Sequence, residues 1–78
     1  MAKLKRASAE EAIRALEILG FARVRQRGSH VVMKKPTKEG AVGCVVPLHK
    51  ELAIGTLRGI LRQAKVPVDE FTEALKKV

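Results

Sequence analysis

The sequence predicts an α+β fold, in which a three-stranded antiparallel sheet is covered by helices on one face and followed by a short carboxyl-terminal helix. Three observations indicate this fold. A capped amphipathic segment opens the chain, three strand-like segments with turn signals follow it, and a second amphipathic segment comes next. Because the strands are joined by short connections, they pair as antiparallel neighbours, and the helices form a second layer.

Size and composition set the limits of the fold. The 78 residues are predicted to form one domain, spanning 1–78. Hydrophobic residues make up 46% of the chain, which is enough for a core, but aromatic residues only 3%. The core is therefore expected to be aliphatic, and a surface that stacks nucleic-acid bases on aromatic rings is not expected.

The charge of the chain favours a polyanionic partner. Sixteen Lys and Arg residues against eight Asp and Glu residues give a net charge of +8. No apolar run approaches the roughly 20 residues that cross a bilayer, so we expect no membrane association. The basic stretch at residues 1–6 lacks the apolar region of a signal peptide. Cys44 is the only cysteine, which excludes an internal disulfide and fits a cytoplasmic protein.

The first helix is predicted over residues 9–19. Ser8 and Glu11 have the spacing of a capping box, in which each side chain hydrogen-bonds the backbone N–H of the other residue. Apolar residues then recur at helical spacing as far as Leu19. Gly20 supplies a left-handed residue that ends the helix.

Three strands are predicted after this helix. Residues 21–27 alternate between apolar and basic side chains, which is typical of a half-buried strand. Gly28-Ser29 suits a two-residue type II′ turn, and residues 30–35 form the returning strand. Residues 36–40 have the composition of a loop. A third strand, at residues 41–46, ends at a proline.

The remaining residues are predicted to be helical after a connector at residues 49–52. The second helix is expected from about Gly55 to Lys65, with an apolar face directed inward. Pro67 breaks it, and a short helix from about Val68 buries the apolar residues near the end of the chain.

The turn fixes which residues share a face of the sheet. A two-residue turn pairs Arg27 with His30, Arg25 with Val32 and Arg23 with Lys34. These six residues are then expected on one basic face. The opposite, apolar face is expected to carry Val24, Val31 and Met33.

Several segments together resemble the HicA toxin family. They are Gly20-Phe21 after an amphipathic helix, the motif Arg27-Gly28-Ser29-His30, and the blocks at residues 46–52 and 55–64. The resemblance covers about residues 8–75. It implies a double-stranded-RNA-binding-domain-like fold and an mRNA interferase of a toxin–antitoxin pair, silenced by a HicB-type antitoxin. The histidine tied to activity in that family corresponds to His30.

This sequence departs from the family pattern at two helix ends. Lys65 stands where many members have Gly after the second helix, and Pro67 stands where many have Ser before the last helix. Both departures concern the packing of the tail and not the motif around His30.

His30 is the candidate catalytic residue. Without the resemblance, a single histidine on a strand is more often structural than catalytic. Beside several arginines, however, an imidazole can accept the proton of a ribose 2′-hydroxyl, which then attacks the adjacent phosphate. His49 is a second candidate, as the acid for the leaving group. The simpler interpretation of His49 is a connector residue held by a backbone hydrogen bond.

The candidate RNA contacts are the basic residues near the hairpin and on the second helix, together with the turn serine: Arg23, Arg25, Arg27, Ser29, Lys34, Lys35, Arg58 and Arg62. For Ser29 the turn alone is a sufficient explanation, and the cations alternatively form a solvated surface. Cys44, His30 and His49 do not have zinc-site spacing, so no metal or other cofactor is expected.

Three functions remain in competition. The first is an endoribonuclease toxin that cleaves mRNA or other single-stranded RNA and is held inactive by a HicB-type antitoxin. The second is a non-catalytic RNA-binding module of the same fold, because a fold does not determine a function. The third is a structural subunit of a ribonucleoprotein. Cleavage that depends on His30 distinguishes the first function from the other two.

Overall fold

The computed structural model describes residues 3–78 and has the predicted α+β architecture; Met1 and Ala2, the start of the basic amino-terminal stretch, lie outside the described residues. The elements, in chain order, are α1 (Ala9–Ile18), β1 (Ala22–Arg27), β2 (His30–Thr37), β3 (Gly40–Pro47), α2 (Ile54–Ala64) and α3 (Val68–Leu75). The strands form one antiparallel sheet in the order β1-β2-β3.

The ends of α1 are formed as the sequence predicts. The Glu11 N–H donates to Ser8 Oγ at 3.0 Å, and the Ser8 N–H donates to Glu11 Oε1 at 2.9 Å. The hydrogen bond from the Ser8 N–H lowers the pKa of the Glu11 carboxyl below its usual value, and the Ser8 side chain adds a smaller effect in the same direction. Gly20 has a φ of 103°, so it supplies the positive φ that ends the helix.

The core lies between one face of the sheet and the three helices. Alternate residues of β2 and β3 are buried on this face: Val31, Met33, Cys44 and Val46. They join one cluster with the inward residues of the helices, including Leu16, Leu57 and Phe71. Every buried residue among those described is hydrophobic, and most are aliphatic. The predicted aliphatic core is therefore confirmed.

β1 departs from the predicted register because it contains a bulge. Arg27 pairs with His30 and Arg25 with Val32, as expected, but the register then shifts. Arg23 pairs with Met33, and Lys34 pairs with Ala22, so the predicted pairing of Arg23 with Lys34 is wrong. Val24 is the extra residue of the bulge.

The bulge also removes Val24 from the apolar face on which it was predicted. The Val24 side chain is 53% exposed, and every residue of β1 is exposed to solvent. β1 is an edge strand, and the buried sheet residues belong to β2 and β3. The prediction of a half-buried first strand is therefore wrong, because the helices cover the other two strands.

The segment predicted as a loop at residues 36–40 is a tight hairpin. β2 continues to Thr37 and β3 begins at Gly40, so the turn itself consists of Lys38 and Glu39. Pro36 pairs with Ala41 beyond the point where β1 ends, so no neighbouring strand needs the N–H that proline lacks.

α2 ends in a conformation that is unfavourable for its residue. Lys65 has a φ of 57° and a ψ of 40°, which is the left-handed region, and its N–H donates to Arg62 O at 3.2 Å. A side chain in this region costs roughly 1–2 kcal/mol relative to the right-handed conformation, a cost that glycine avoids.

Replacement of Lys65 by glycine is expected to stabilise the protein. The gain should be about 0.5–1 kcal/mol in the free energy of unfolding, because relief of backbone strain exceeds the added freedom of the unfolded chain. Urea denaturation of the Lys65→Gly and Lys65→Ala variants measures it. The alanine variant retains the strain, so equal stability of the two variants contradicts this explanation.

The buried thiol of Cys44 is expected to be unreactive in the native protein. Burial raises its pKa from 9.0 to about 11. At pH 8.5 the thiolate fraction, and with it the rate of alkylation by iodoacetamide, should fall on the order of 100-fold below that of the denatured chain. Equal rates in the native and denatured protein contradict the burial.

The same shift makes stability depend on pH. Between pH 9.0 and about 11 the unfolded state loses the Cys44 proton first, so it binds fewer protons than the native state. The free energy of unfolding therefore falls as pH rises through this range. Comparison of the pH dependence with that of Cys44→Ala isolates this contribution.

Candidate active site

The hairpin between β1 and β2 presents His30 at the start of β2. Gly28 has a φ of 55°, and Ser29 does not have a positive φ, as a type II′ turn requires. A Cβ at Gly28 would meet no atom within 4 Å, so the backbone conformation and not the available space favours glycine. Gln26 Nε2 donates to Gly28 O at 3.3 Å across the turn. The turn leaves the His30 side chain exposed.

The face of the sheet opposite the helices is here called the open face. Directly paired residues share a face, so Arg27 and Arg25 lie on the same side as His30 and Val32. Lys34 lies two residues after Val32 on β2, so its side chain points to the same face. Arg25, Arg27 and Lys34 take part in none of the ion pairs between described residues. The open face therefore carries positive charge that no described carboxylate compensates.

Arg23 lies on the other side of the sheet. Its guanidinium group contacts Glu10 Oε1 at 3.4 Å and Glu17 Oε2 at 3.8 Å, and both carboxylates belong to α1. Its partner Met33 is on the buried face, which agrees with this direction. The bulge thus separates Arg23 from the cations beside His30, contrary to the predicted arrangement.

Lys35 also lies on the helix-covered side. Its Nζ lies 5.9 Å from the centre of the Phe21 ring, within the range of a cation–π contact. A Cβ at Gly20 would lie 3.2 Å from Lys35 Cε, so the lysine stem packs against that glycine. Lys35 was predicted to contact RNA together with Lys34, but neighbouring strand residues point to opposite faces.

The other predicted RNA contacts are dispersed. Arg58 and Arg62 are exposed on α2, whose inward side packs in the core on the opposite side of the sheet from His30. Ser29 is exposed in the turn, and its carbonyl accepts the N–H of Leu48 at 2.7 Å. The fold thus brings together His30, Arg25, Arg27, Ser29 and Lys34, but not the two arginines of α2.

His49 is a connector residue whose backbone is held on both sides. Its N–H donates to Pro47 O at 2.9 Å, and its carbonyl accepts the N–H of Ala9 at 3.1 Å. These two bonds hold the backbone of His49 and do not involve its imidazole ring. Pro47 is the β3 partner of His30, so His49 follows two residues after the strand position beside the candidate base. The His49 side chain is exposed.

The sequence predicted Val32 on the open face, but the apolar strip that Val32 forms there with Val45 and Val24 was missed. Val32 lies between the cations, Val45 pairs with it, and the bulge residue Val24 borders it. Val24, Arg25, Val32 and Lys34 line a groove of about 290 Å³. The signal was present: in the pairs Val31-Val32 and Val45-Val46, alternation places one valine of each pair on the open face.

Two structural features concern metals and membranes. Within residues 3–78, no group of three His, Cys, Asp or Glu side chains is placed to hold a metal ion. No helix in that part of the chain is long and apolar enough to span a bilayer.

Comparison with known proteins assigns this sequence to a family. A family model described as HicA toxin of bacterial toxin–antitoxin matches residues 9–66, which include α1, the sheet and α2. None of the curated proteins matches the chain.

Proposed function

The chain belongs to the HicA family, the toxins of bacterial toxin–antitoxin systems, and we propose that it is an endoribonuclease that needs no metal. The observation that carries the proposal is the position of His30, exposed on the open face directly opposite Arg27. An imidazole, which can act as a general base, lies there beside a group that attracts phosphate.

RNA binding follows from the charge of the open face. Arg25, Arg27 and Lys34 are exposed and unpaired with described carboxylates, so they are available for phosphate oxygens. Few aromatic rings exist in the chain, and Phe71 is in the core, so base stacking contributes little. The apolar strip instead offers a surface against which a base or ribose can pack. The substrate is mRNA or another single-stranded RNA.

In the proposed reaction His30 is the general base. It accepts the proton of a ribose 2′-hydroxyl, and the 2′-oxygen attacks the adjacent phosphorus. The bond from phosphorus to the 5′-oxygen breaks, which leaves a 2′,3′-cyclic phosphate and a 5′-hydroxyl. The guanidinium group of Arg27 stabilises the negative charge that develops on the phosphate oxygens.

The departing 5′-oxygen needs a proton. His49 is the candidate donor, because its connector continues from the β3 residue paired with His30 and its side chain is exposed. The hydrogen bond from Leu48 N–H to Ser29 O fixes this connector against the catalytic turn. Solvent water is the alternative donor, and the His49→Ala variant decides between them.

A toxin of this family acts with a cognate antitoxin. We propose a HicB-type protein as that partner and the cytoplasm, where mRNA is translated, as the location of both. The excess of cations on the open face favours an acidic partner.

Replacement of His30 by alanine is expected to abolish cleavage without unfolding the protein. General-base catalysis contributes about 10²–10⁴-fold, so the rate of RNA cleavage should fall by that factor. The measurement uses end-labelled RNA in excess chelator, with the thermal midpoint of each variant as a folding control. Because His30 is exposed, the midpoint should not change.

Each outcome of this experiment has one interpretation. Cleavage by His30→Ala at the wild-type rate removes His30 from the mechanism, and wild-type cleavage only after a metal is added contradicts metal independence. RNA binding without any cleavage by the wild type identifies a non-catalytic binding module.

Replacement of Arg25 and replacement of Arg23 by alanine are expected to differ. Arg25→Ala removes a phosphate contact, so the slope of log affinity against log salt should decrease by about 0.7–0.9. Arg23→Ala should leave this slope unchanged, because Arg23 pairs with Glu10 and Glu17 on the other side of the sheet. Filter binding of a non-cleavable 2′-deoxy-substituted RNA over a salt series measures both. Equal decreases for the two variants contradict the assignment of the open face.

A further inference from the structure

β3 forms the second edge of the sheet, and its outward backbone groups can be identified. In antiparallel strands, alternate residues direct their N–H and C=O groups away from the partner strand. Val45 N–H donates to Gln63 Oε1 at 3.4 Å, away from β2, whereas Leu48 N–H donates to Ser29 O on the β2 side. The alternation therefore directs the groups of Ala41 and Gly43 outward as well.

The two edges of the sheet differ in how well they are protected from pairing with another strand. β1 carries arginines and a bulge, which are devices that prevent pairing with another strand. β3 has no charge from Gly40 to Val46, and its residues there are small or β-branched. Gln63 covers the N–H of Val45, but no described residue forms a hydrogen bond with the outward groups of Ala41 and Gly43.

Grooves lie on both sides of this edge. On the open-face side, Val32, Lys34, Gly43 and Gln63 contribute to a groove of about 420 Å³. On the helix side, a groove of about 360 Å³ includes Val42 and Val66. An extended chain paired with β3 directs alternate side chains to its two faces, so they would enter the two grooves in turn.

We propose that the β3 edge at residues 41–45 binds an extended segment of the cognate antitoxin as a fourth strand. This inference rests on the proposed toxin function. The segment should have apolar side chains and an acidic residue facing Lys34, because Lys34 is the only charged residue lining the open-face groove. The helix-side groove balances Lys35 and Lys65 with Glu39 and Glu70, so it selects apolar side chains.

A second copy of this chain fits the edge less well. Two copies would each bring a net charge of +8 and would place Lys34 near the same edge in both. Residues 41–45 of the β3 edge are close to the hairpin at Lys38 and Glu39, whereas His30 pairs with Pro47 at the other end of β3. Strand addition is therefore an anchor separate from the catalytic turn.

The test uses the product of the reading frame adjacent to the toxin gene as the antitoxin probe. Ala41→Pro removes an outward N–H without removing a bond to β2, and Ala41→Val is the matched control that keeps the N–H. The proline variant should bind the probe about tenfold more weakly than the valine variant. Circular dichroism checks that both variants fold.

Hydrogen exchange of the wild-type protein keeps the proposal testable if Ala41→Pro fails to fold. The amides of Ala41 and Gly43 should exchange fast in the toxin alone and become protected in the complex. Fast exchange in the complex, or equal binding by the two Ala41 variants, overturns the proposal. Protection that rises with the concentration of the toxin alone identifies a second copy as the occupant and also overturns it.

Failure of this inference and failure of the nuclease proposal are distinguishable. The His30→Ala variant should bind the probe as tightly as the wild type, because the edge does not include His30. If Ala41→Pro weakens the complex but the wild-type protein cleaves no RNA, strand addition at the β3 edge is supported and the nuclease proposal is refuted. A probe that does not bind the wild-type chain at all refutes the edge, whatever the cleavage assay gives.

Discussion

The structure depends on a sheet that is apolar enough to be buried on only one face. Val31, Met33, Cys44 and Val46 direct their side chains to the helices, and all three helices contribute to the same core. Of the elements formed by residues 3–78, none covers the second face. That face is therefore open to solvent, and the alternation of the strands places His30 on it. The proposed chemistry is a consequence of this one-sided burial.

The β1–β2 hairpin then determines which cations share the open face. The turn at Gly28 pairs Arg27 with His30. The bulge at Val24 turns the side chain of the preceding residue, Arg23, to the opposite face of the sheet. Arg23 consequently forms ion pairs with carboxylates of α1, while Arg25 stays on the open face that carries the candidate base. The bulge thus divides the basic strand β1 into two parts. Arg23 links the edge of the sheet to α1, and the arginines after the bulge are available to bind phosphate.

Much of the fold could be predicted from the sequence, because each element has a local signal. The capping box, the helix-ending glycine and the turn at Gly28 fix the ends of α1 and the position of the hairpin. The bulge could not be predicted, because an alternating strand looks the same with or without an extra residue in its register. The bulge turns the Arg23 side chain toward Glu10 and Glu17, which are distant in sequence. Lys35 was misplaced although its parity, opposite to that of Lys34, was already visible.

Cleavage of RNA on the open face through a ribose 2′-hydroxyl can be tested with one substitution in the substrate. An RNA with a single 2′-deoxyribose on the 5′ side of a mapped cleavage site is incubated with the wild-type protein in excess chelator. Cleavage should stop at that position alone, and all other cleavage sites should yield 2′,3′-cyclic phosphate and 5′-hydroxyl ends. Undiminished cleavage at the deoxy position, or products with 5′-phosphate ends, would contradict this mechanism.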